Sequence, residues 1–493
     1  DEPDADARTA VMAQALELLR VRMEARLGEA EALKAMGRFE EALKAYRSID
    51  DLHREGLAQM EAWLARVDAH PAVVRRVVPL VRRGGATHVP TQAPSPEAKV
   101  GLAAQPAAGG AFRGRGGDRP FRSGDSARAQ VAVEHALRWL AAHQSPNGGW
   151  EAAGFGKWCD GKPASQGPDG EGKALYDPGV TGLALCAFLG AGSTNRGRHP
   201  FAKTVSKGLR YLTNIQDNEG CFGPRVSQHY IYHHAVASLA MIEAYGMTNS
   251  PIFKGSAQRA LDFIAVSRNP YFVWRYGVKP GDNDTSVTGW MAMALKSASL
   301  INASARKDGK AAPLVIDEGA FEGVRAWLDK MTDPDYGRVG YIQRGGAPAR
   351  PQEMIDKFPA DRSESMTAVG MLLRIFTGEN PRTSEIIQKG AMLCVKTPPV
   401  WNPADGSIDM YYWYYGTLAL FQVGGPAWKS WNEKMRTAIG DTQRRDTDYC
   451  LYKGSWDPIG PWGPDGGRVY ATAHMAMCMQ VYYRYDRVFG TGP

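Results

Sequence analysis

The chain has 493 residues, of which 44% are hydrophobic and 23% charged, with a formal net charge of +7. That composition is ordinary for a globular protein and allows more than one domain. No run of about 18 apolar residues occurs, which excludes a transmembrane helix on hydropathy, and the modest positive charge comes partly from Arg113, Arg115, Arg119 and Arg122 in one glycine-rich stretch. Without a nucleic-acid-binding motif beside them, these arginines read as solvated linker charges.

In chain order, residues 1–83 come first and read as a helical region. Met12, Ala15, Leu16, Leu19 and Met23 recur at helical spacing. The stretch from Ala32 to Tyr46 resembles one tetratricopeptide unit, with Gly37 at the turn and Phe39, Ala42, Leu43 and Tyr46 lining the second helix. A single unit of that kind buries little of its own face. A helical hairpin is therefore expected, with another protein as its expected partner. The chain opens on the acidic run Asp1-Glu2-Pro3-Asp4, which fits a mature end left by signal-peptide removal. On that ground the expected location is extracytoplasmic (periplasmic or secreted), with the cytoplasm as the alternative. Residues 84–125, rich in Gly, Pro, Ala, Gln and Ser, form a flexible linker.

From 126 to 493 a two-helix unit recurs about six times. Its first helix carries small and basic residues before an aromatic-aliphatic pair, as in Ala136 to Leu140, Gly208 to Leu212, Ala260 to Ile264 and Val324 to Leu328. Its second helix is apolar almost all round: Val180 to Leu189, Ala235 to Tyr245, Val287 to Leu300, Met366 to Phe376, Tyr411 to Val423 and Ala471 to Tyr483. Gly190, Gly246, Gly378 and Gly424 are expected to end four of these second helices. A helix apolar on every side must be buried on every side, whereas a one-faced helix can cover it. Six such pairs close into an all-α, α6/α6 toroid with the apolar helices inside.

The turns after the first two outer helices run Gln144-Ser145-Pro146-Asn147-Gly148-Gly149-Trp150 and Gln216-Asp217-Asn218-Glu219-Gly220-Cys221-Phe222. They resemble the QW repeat of squalene and oxidosqualene cyclases and of protein prenyltransferase β subunits. Degenerate copies follow at Tyr336 to Tyr341 and at Gly454-Ser455-Trp456. The resemblance covers about three quarters of the chain and implies that Gln144 and Gln216 cap helix ends. It also implies that Trp150 and Phe222 pack between neighbouring outer helices, with Gly148 and Gly220 in the turns. A shared scaffold does not fix a reaction.

In squalene-hopene-type cyclases a DxDD motif followed by Thr opens an inner helix and protonates the substrate. The matching segment is Gly281-Asp282-Asn283-Asp284-Thr285, where Asn283 stands at the proton donor's place. An amide is no general acid. Asp284 retains the last position of the motif, and Asp282 replaces the donor only if the loop is shifted. Both stay candidate catalytic residues, with helix capping as the structural reading of Asp284. Asp177, Ser363-Glu364-Ser365 and Asp409 occupy corresponding helix starts and are expected to cap them. These starts gather at one mouth, where the helix dipoles favour an anionic ligand such as a diphosphate.

His233 and His234, beside Tyr230 and Tyr232, are the other catalytic candidates, as in toroidal polysaccharide lyases. Trp290 and the run Tyr411-Tyr412-Trp413-Tyr414-Tyr415 supply aromatic faces for a cavity or the core. His474 and Cys478 are one helical turn apart but lack a third ligand, and no zinc set of the prenyltransferase kind appears, so neither metal nor cofactor is expected. Cys186, Cys394 and Cys478 fall in apolar helices. Cys159, Cys221 and Cys450 fall in loops, where the sequence cannot pair them. The expected function is a non-catalytic toroid that binds a ligand or a protein. The alternative is an enzyme acting on an isoprenoid, or, at greater distance, on a polysaccharide.

Overall fold

The computed structural model describes residues 124–159, 170–445 and 449–481. The tetratricopeptide-like hairpin and nearly all of the linker lie outside the described residues.

Twelve α-helices are present among the described residues. They are α1 Gly124–Ala142, α2 Asp177–Gly190, α3 Ala202–Ile215, α4 Tyr230–Thr248, α5 Pro251–Ser267, α6 Thr285–Lys307, α7 Gly319–Met331, α8 Ser365–Phe376, α9 Glu385–Lys396, α10 Met410–Val423, α11 Gly425–Gly440 and α12 Gly463–Met479. The even-numbered helices pack in sequence, α2 on α4 and so on to α12, and α12 packs back on α2. The odd-numbered helices lie outside them, each against the inner helices that flank it in the chain, with α1 bridging α12 and α2. The result is a closed α6/α6 toroid. None of the described helices is long and apolar enough to cross a membrane.

Burial follows the two kinds of helix. Every residue of α2 from Pro178 to Gly190 is buried, as is every residue of α10 from Met410 to Leu420. The outer helix α3 instead buries Val205, Gly208, Leu209 and Leu212, a single stripe at helical spacing. Helix ends differ in one detail from the sequence expectation. Gly246 lies inside α4, which ends at Asn249 with φ 48°. A Cβ on Gly246 would meet Ile301 Cδ1 at 2.6 Å, so this glycine serves close packing rather than termination.

The turns beginning at Gln144 and Gln216 share one hydrogen-bond scheme. Gln144 Nε2 donates to Gly148 O at 2.8 Å and to Thr204 O of α3 at 2.9 Å. Gln216 Nε2 donates to Gly220 O and to Ser256 O of α5, each at 3.0 Å. Each glutamine thus closes its own turn and ties it to the next outer helix. The capping is done by the tryptophan: Trp150 Nε1 donates to Leu140 O at 2.7 Å, near the end of α1. One further copy, at Trp274, carried no sequence signal, and the degenerate copy at Gly454-Ser455-Trp456 uses Gln443. Trp274 Nε1 caps Ile264 O at 2.8 Å. Gln443 Nε2 donates to Gly454 O at 2.9 Å and to Ala132 O of α1 at 2.8 Å, which joins the last outer helix to the first.

Gly220 has φ +93°, and a Cβ there would sit 2.1 Å from Arg259 O, a backbone atom with nowhere to go. Gly220→Ala therefore combines a left-handed backbone with a main-chain clash. It should cost at least about 2 kcal/mol, seen as a lower midpoint in urea denaturation followed by circular dichroism. An unchanged midpoint would mean that the turn does not pack against α5 in this way.

Candidate functional site

The six inner helices begin at one end of the ring, and their first turns line a cavity of about 150 Å³. Val180 and Leu183 of α2, His233 and Val236 of α4, Trp290 of α6, Met366 of α8, Tyr411 of α10 and Tyr470 and His474 of α12 all reach it. The loops that lead into these helices add Tyr176, His229, Tyr276, Tyr341, Arg350 and Trp462, and the first turn of α12 adds Asp465. Gly179 leaves room for His233: a Cβ at that glycine would lie 2.9 Å from the imidazole Cδ2. Below the cavity the centre is filled. Trp290 stacks on Tyr414, centroids 5.6 Å apart at 14°, and meets Tyr415 edge-on.

Charges on the wall are already matched by protein partners. Arg350 pairs with Asp409 at 2.8 Å, both nearly fully buried, and Asp465 pairs with Lys173 at 2.6 Å. Tyr176 OH lies 2.8 Å from His229 Nδ1. Five other neutral polar atoms on the same wall are not matched. His233 Nε2, Ser365 Oγ, Trp462 Nε1, Tyr470 OH and His474 Nε2 are buried with no hydrogen-bond partner in the protein. Burial first, then His229, lowers the His233 pKa to about 4. Burial, opposed by the Tyr470 carbonyl and Asp409, lowers that of His474 to about 4. Both rings are neutral at pH 7. His474 Nδ1 contacts Tyr470 O at 3.2 Å, so Nδ1 carries the proton and Nε2 faces the cavity as an acceptor.

Of the residues expected to carry catalysis, His233 lines the cavity and the two aspartates do not. Asp284 is fully buried behind the wall and caps α6, its Oδ1 accepting from Val287 N at 2.7 Å. Its Oδ2 has no hydrogen-bond partner, and Arg275 Nε is 4.0 Å away. Burial outweighs the cap and Arg275 and pushes the Asp284 pKa to about 7. Asp282 turns out to solvent and pairs with Arg275 at 2.7 Å, which removes it as a stand-in acid for the cavity. Asn283 holds the loop together, its Oδ1 accepting from Asn269 Nδ2 and Val273 N, each at 3.1 Å.

His234 also leaves the catalytic set. Its Nδ1 accepts from Phe222 N at 3.2 Å. In four other repeats a threonine accepts the equivalent bond: Thr181 from Trp150 N at 2.9 Å, Thr288 from Trp274 N at 3.5 Å, Thr367 from Val339 N at 3.3 Å and Thr472 from Trp456 N at 3.4 Å. His234 is the scaffold acceptor of its repeat, and burial lowers its pKa to about 3.

Among the aromatics, Trp290 and Tyr411 line the cavity, with Tyr411 OH 2.9 Å from Ser286 Oγ. Tyr412 points outward instead, donating to Thr397 O at 3.0 Å and packing edge-on against Trp431 of α11. Trp413 packs near Trp401, and Tyr415 lies under Tyr411 with centroids 4.9 Å apart. All are buried, so none is a surface aromatic.

Asp284 and Asp409 cap their helices, and at α8 Ser363 Oγ accepts from the first amide, Ser365 N, at 3.3 Å, whereas Asp177 and Glu364 do not cap. Asp409 Oδ1 accepts from Tyr412 N at 3.0 Å. Asp177 instead accepts from Ala152 N at 2.8 Å, and Glu364 binds Arg338. His229, Tyr276, Tyr341, Arg350, Trp462, Asp465 and Tyr470 carried no sequence signal beyond their nearness to inner-helix starts.

A closed ring of six inner and six outer helices defines the class, an α/α toroid. Within that class, part of the chain is similar in sequence to squalene cyclases. The squalene-hopene cyclase C-terminal domain family matches residues 119–331. Dammaradiene synthase of Dryopteris crassirhizoma is 28% identical over 130 residues, which is 24% of this chain and 18% of that enzyme's length. Among solved structures, the alpha-1,6-mannanase of Salegentibacter sp. has a TM-score of 0.47 at 11% identity, covering 73% of this chain and 99% of that one. The type II terpene cyclase MstE of Scytonema has a TM-score of 0.43 at 12% identity, covering 73% and 98%. Both scores are low, and the ring rests on the chain's own helix packing.

Asp284 gives a pH signature. Its folded-state pKa, about 7, lies above the ordinary 3.8, so the folded protein keeps a proton that the unfolded chain releases. Its contribution to stability therefore falls as pH rises through that interval. Asp284→Asn keeps a good capping group and abolishes the titration. The variant should gain stability relative to the parent as pH is raised from about 4 to 7. Paired urea titrations at several pH values measure the difference, and a flat difference would mean that Asp284 ionises normally.

Proposed function

We propose that the toroid is a non-catalytic binding module whose mouth cavity takes a small, neutral ring compound bearing hydroxyl-type groups. One observation carries the reading: the cavity's charged side chains are paired within the protein, while five buried neutral polar atoms on its wall have no protein partner. Buried polar groups are nearly always hydrogen-bonded, and such a set points to a partner from outside the chain. Trp462 Nε1 is a donor and His474 Nε2 an acceptor, so the ligand needs both kinds of group. Aromatic walls suit the faces of a ring. A volume of about 150 Å³ falls below the roughly 300–1,000 Å³ of pockets for drug-sized ligands. That size suits a single six-membered ring and is too small to enclose a polyprenyl chain.

The paired charges also argue against a diphosphate. Helix dipoles do converge at the mouth, but Asp284 and Asp409 already cap two of the helices there. An isoprenoid-acting enzyme remains the competing reading because Asp284 titrates near neutrality. Its carboxyl, however, lies behind the cavity wall.

Calorimetric titration of the full chain with monosaccharides and small substituted phenols tests the proposal. At least one of these classes should bind and be recovered unchanged. Tyr470→Phe, which removes one hydroxyl, should weaken binding by up to about tenfold. Two results would sink the reading: no binding by either class, or turnover of a polyprenyl diphosphate by the full chain.

A further inference from the structure

Away from the cavity, three soft or borderline ligand atoms meet at the seam where the first and last repeats adjoin. His143 lies just past α1, Cys159 in the loop beyond the first turn, and Cys450 in the loop after α11. Their Nε2 and two Sγ atoms all lie within 4.8 Å of one another. His143 Nε2 is 4.0 Å from Cys450 Sγ. The cysteines, 291 residues apart with Cα atoms at 6.0 Å, are joined by a disulfide.

The histidine is held as a metal ligand would be. Its Nδ1 lies 2.8 Å from Trp139 O, and a carbonyl can only accept, so Nδ1 carries the proton. The Nε2 lone pair is left facing the sulfurs. Backbone carbonyls fix metal-bound imidazoles in the same way. The ring is fully buried, stacks on Trp139 at 4.2 Å, and cannot easily turn away. Trp139 is itself tied across the seam through Nε1 to Leu451 O at 2.9 Å.

We propose that His143, Cys159 and Cys450 form a binding site for a soft divalent cation, with zinc as its probe, whenever the two sulfurs are reduced. Zinc takes sulfur at about 2.3 Å and imidazole nitrogen at about 2.0 Å, so a tetrahedral site needs ligand atoms roughly 3.5 Å apart. That is a small adjustment from the present cluster. Two thiolates and an imidazole favour zinc over magnesium or calcium. The fourth position is left to water or another ligand. Sequence spacing could not show this site, because its ligands come from opposite ends of the ring.

The two states interconvert by ordinary thiol chemistry. Two equivalents of a thiol reductant open the disulfide, giving two cysteine thiols and the reductant's own disulfide. Binding of zinc then displaces one proton from each thiol. An oxidising compartment keeps the disulfide, and a reducing one keeps the thiols. The disulfide cross-links the seam in one state, and zinc held by the two thiolates and His143 does so in the other.

The test uses the full chain, reduced with dithiothreitol, stripped of metal with a chelator and freed of both by anaerobic gel filtration. Zinc is titrated against a chromophoric competitor, and cobalt uptake is followed by its thiolate charge-transfer absorption. One equivalent should bind. Cys159→Ser, Cys450→Ser and His143→Gln should each weaken binding by more than about 100-fold, the upper end of second-shell effects. Oxidation of the parent to the disulfide should abolish the same binding, which covers the case of a variant that fails to fold by circular dichroism. The proposal is overturned if the reduced chain takes up no zinc. It is equally overturned if folded variants, or the oxidised parent, bind as tightly as the reduced parent.

Discussion

Closure of the inner ring, where α12 packs against α2, is the contact on which the rest of the structure depends. Each inner helix is apolar nearly all round, so an open ring would leave one side of α2 and one side of α12 facing water. The seam that prevents this carries polar as well as apolar ties. Gln480 Nε2 donates to Ala187 O at 2.7 Å, and Gln443 Nε2 to Ala132 O at 2.8 Å. Lys173 N donates to Asp465 O and Arg468 N to Gly170 O, both at 2.8 Å. Other repeats meet their neighbours through short connecting chain. The seam joins segments about 300 residues apart, so it must recover a large loop-closure entropy from direct bonds.

Closure also makes the mouth. Six inner helices that begin at one end bring six partial positive charges together. Part of that field is met from within by Asp284 and Asp409 as caps, while Asp409 and Asp465 are in turn paired with Arg350 and Lys173. A wall already neutralised in this way has no call for an anion. What it presents instead is a set of neutral donors and acceptors between aromatic faces. His233 and His474 belong to that set because burial keeps both rings uncharged.

The inner helices were legible because their pattern is local: an unbroken apolar stretch states its burial without reference to any other part of the chain. The turns at Gln144 and Gln216 were legible for the same reason, since glutamine, glycine and aromatic lie within seven residues. The cavity was not. Tyr276, Tyr341, Arg350 and Trp462 come from three different loops and meet only after the ring has closed. His233 and His234 look equivalent in sequence, yet one helical step of about 100° separates their directions. His233 therefore faces the mouth, while His234 takes the place held by Thr181, Thr288, Thr367 and Thr472. Asp177 and Asp284 likewise share a local pattern, an acid opening an inner helix, and differ in structure. Asp284 precedes its helix and caps it, while Asp177 is already inside the first turn and bonds to Ala152 N.

Asn283 weighs against acid chemistry at the position aligned with the cyclase motif. Its side-chain oxygen accepts from two N–H groups, Asn269 Nδ2 and Val273 N. An aspartate placed there would inherit both donors. Hydrogen bonds given to a carboxylate favour its ionised form and lower its pKa. A cyclisation acid needs the reverse, a carboxyl that holds its proton until the substrate takes it. The surroundings of position 283 thus oppose acid function independently of the amide now present. Asp284, the carboxyl next to it, has the raised pKa but spends one oxygen on the α6 cap and is not among the residues that line the cavity. Proton donation would therefore require remaking the loop from Asn269 to Asp284, and that loop also positions Trp274, whose indole caps α5. In this chain the segment aligned with a catalytic motif is committed to holding the ring together.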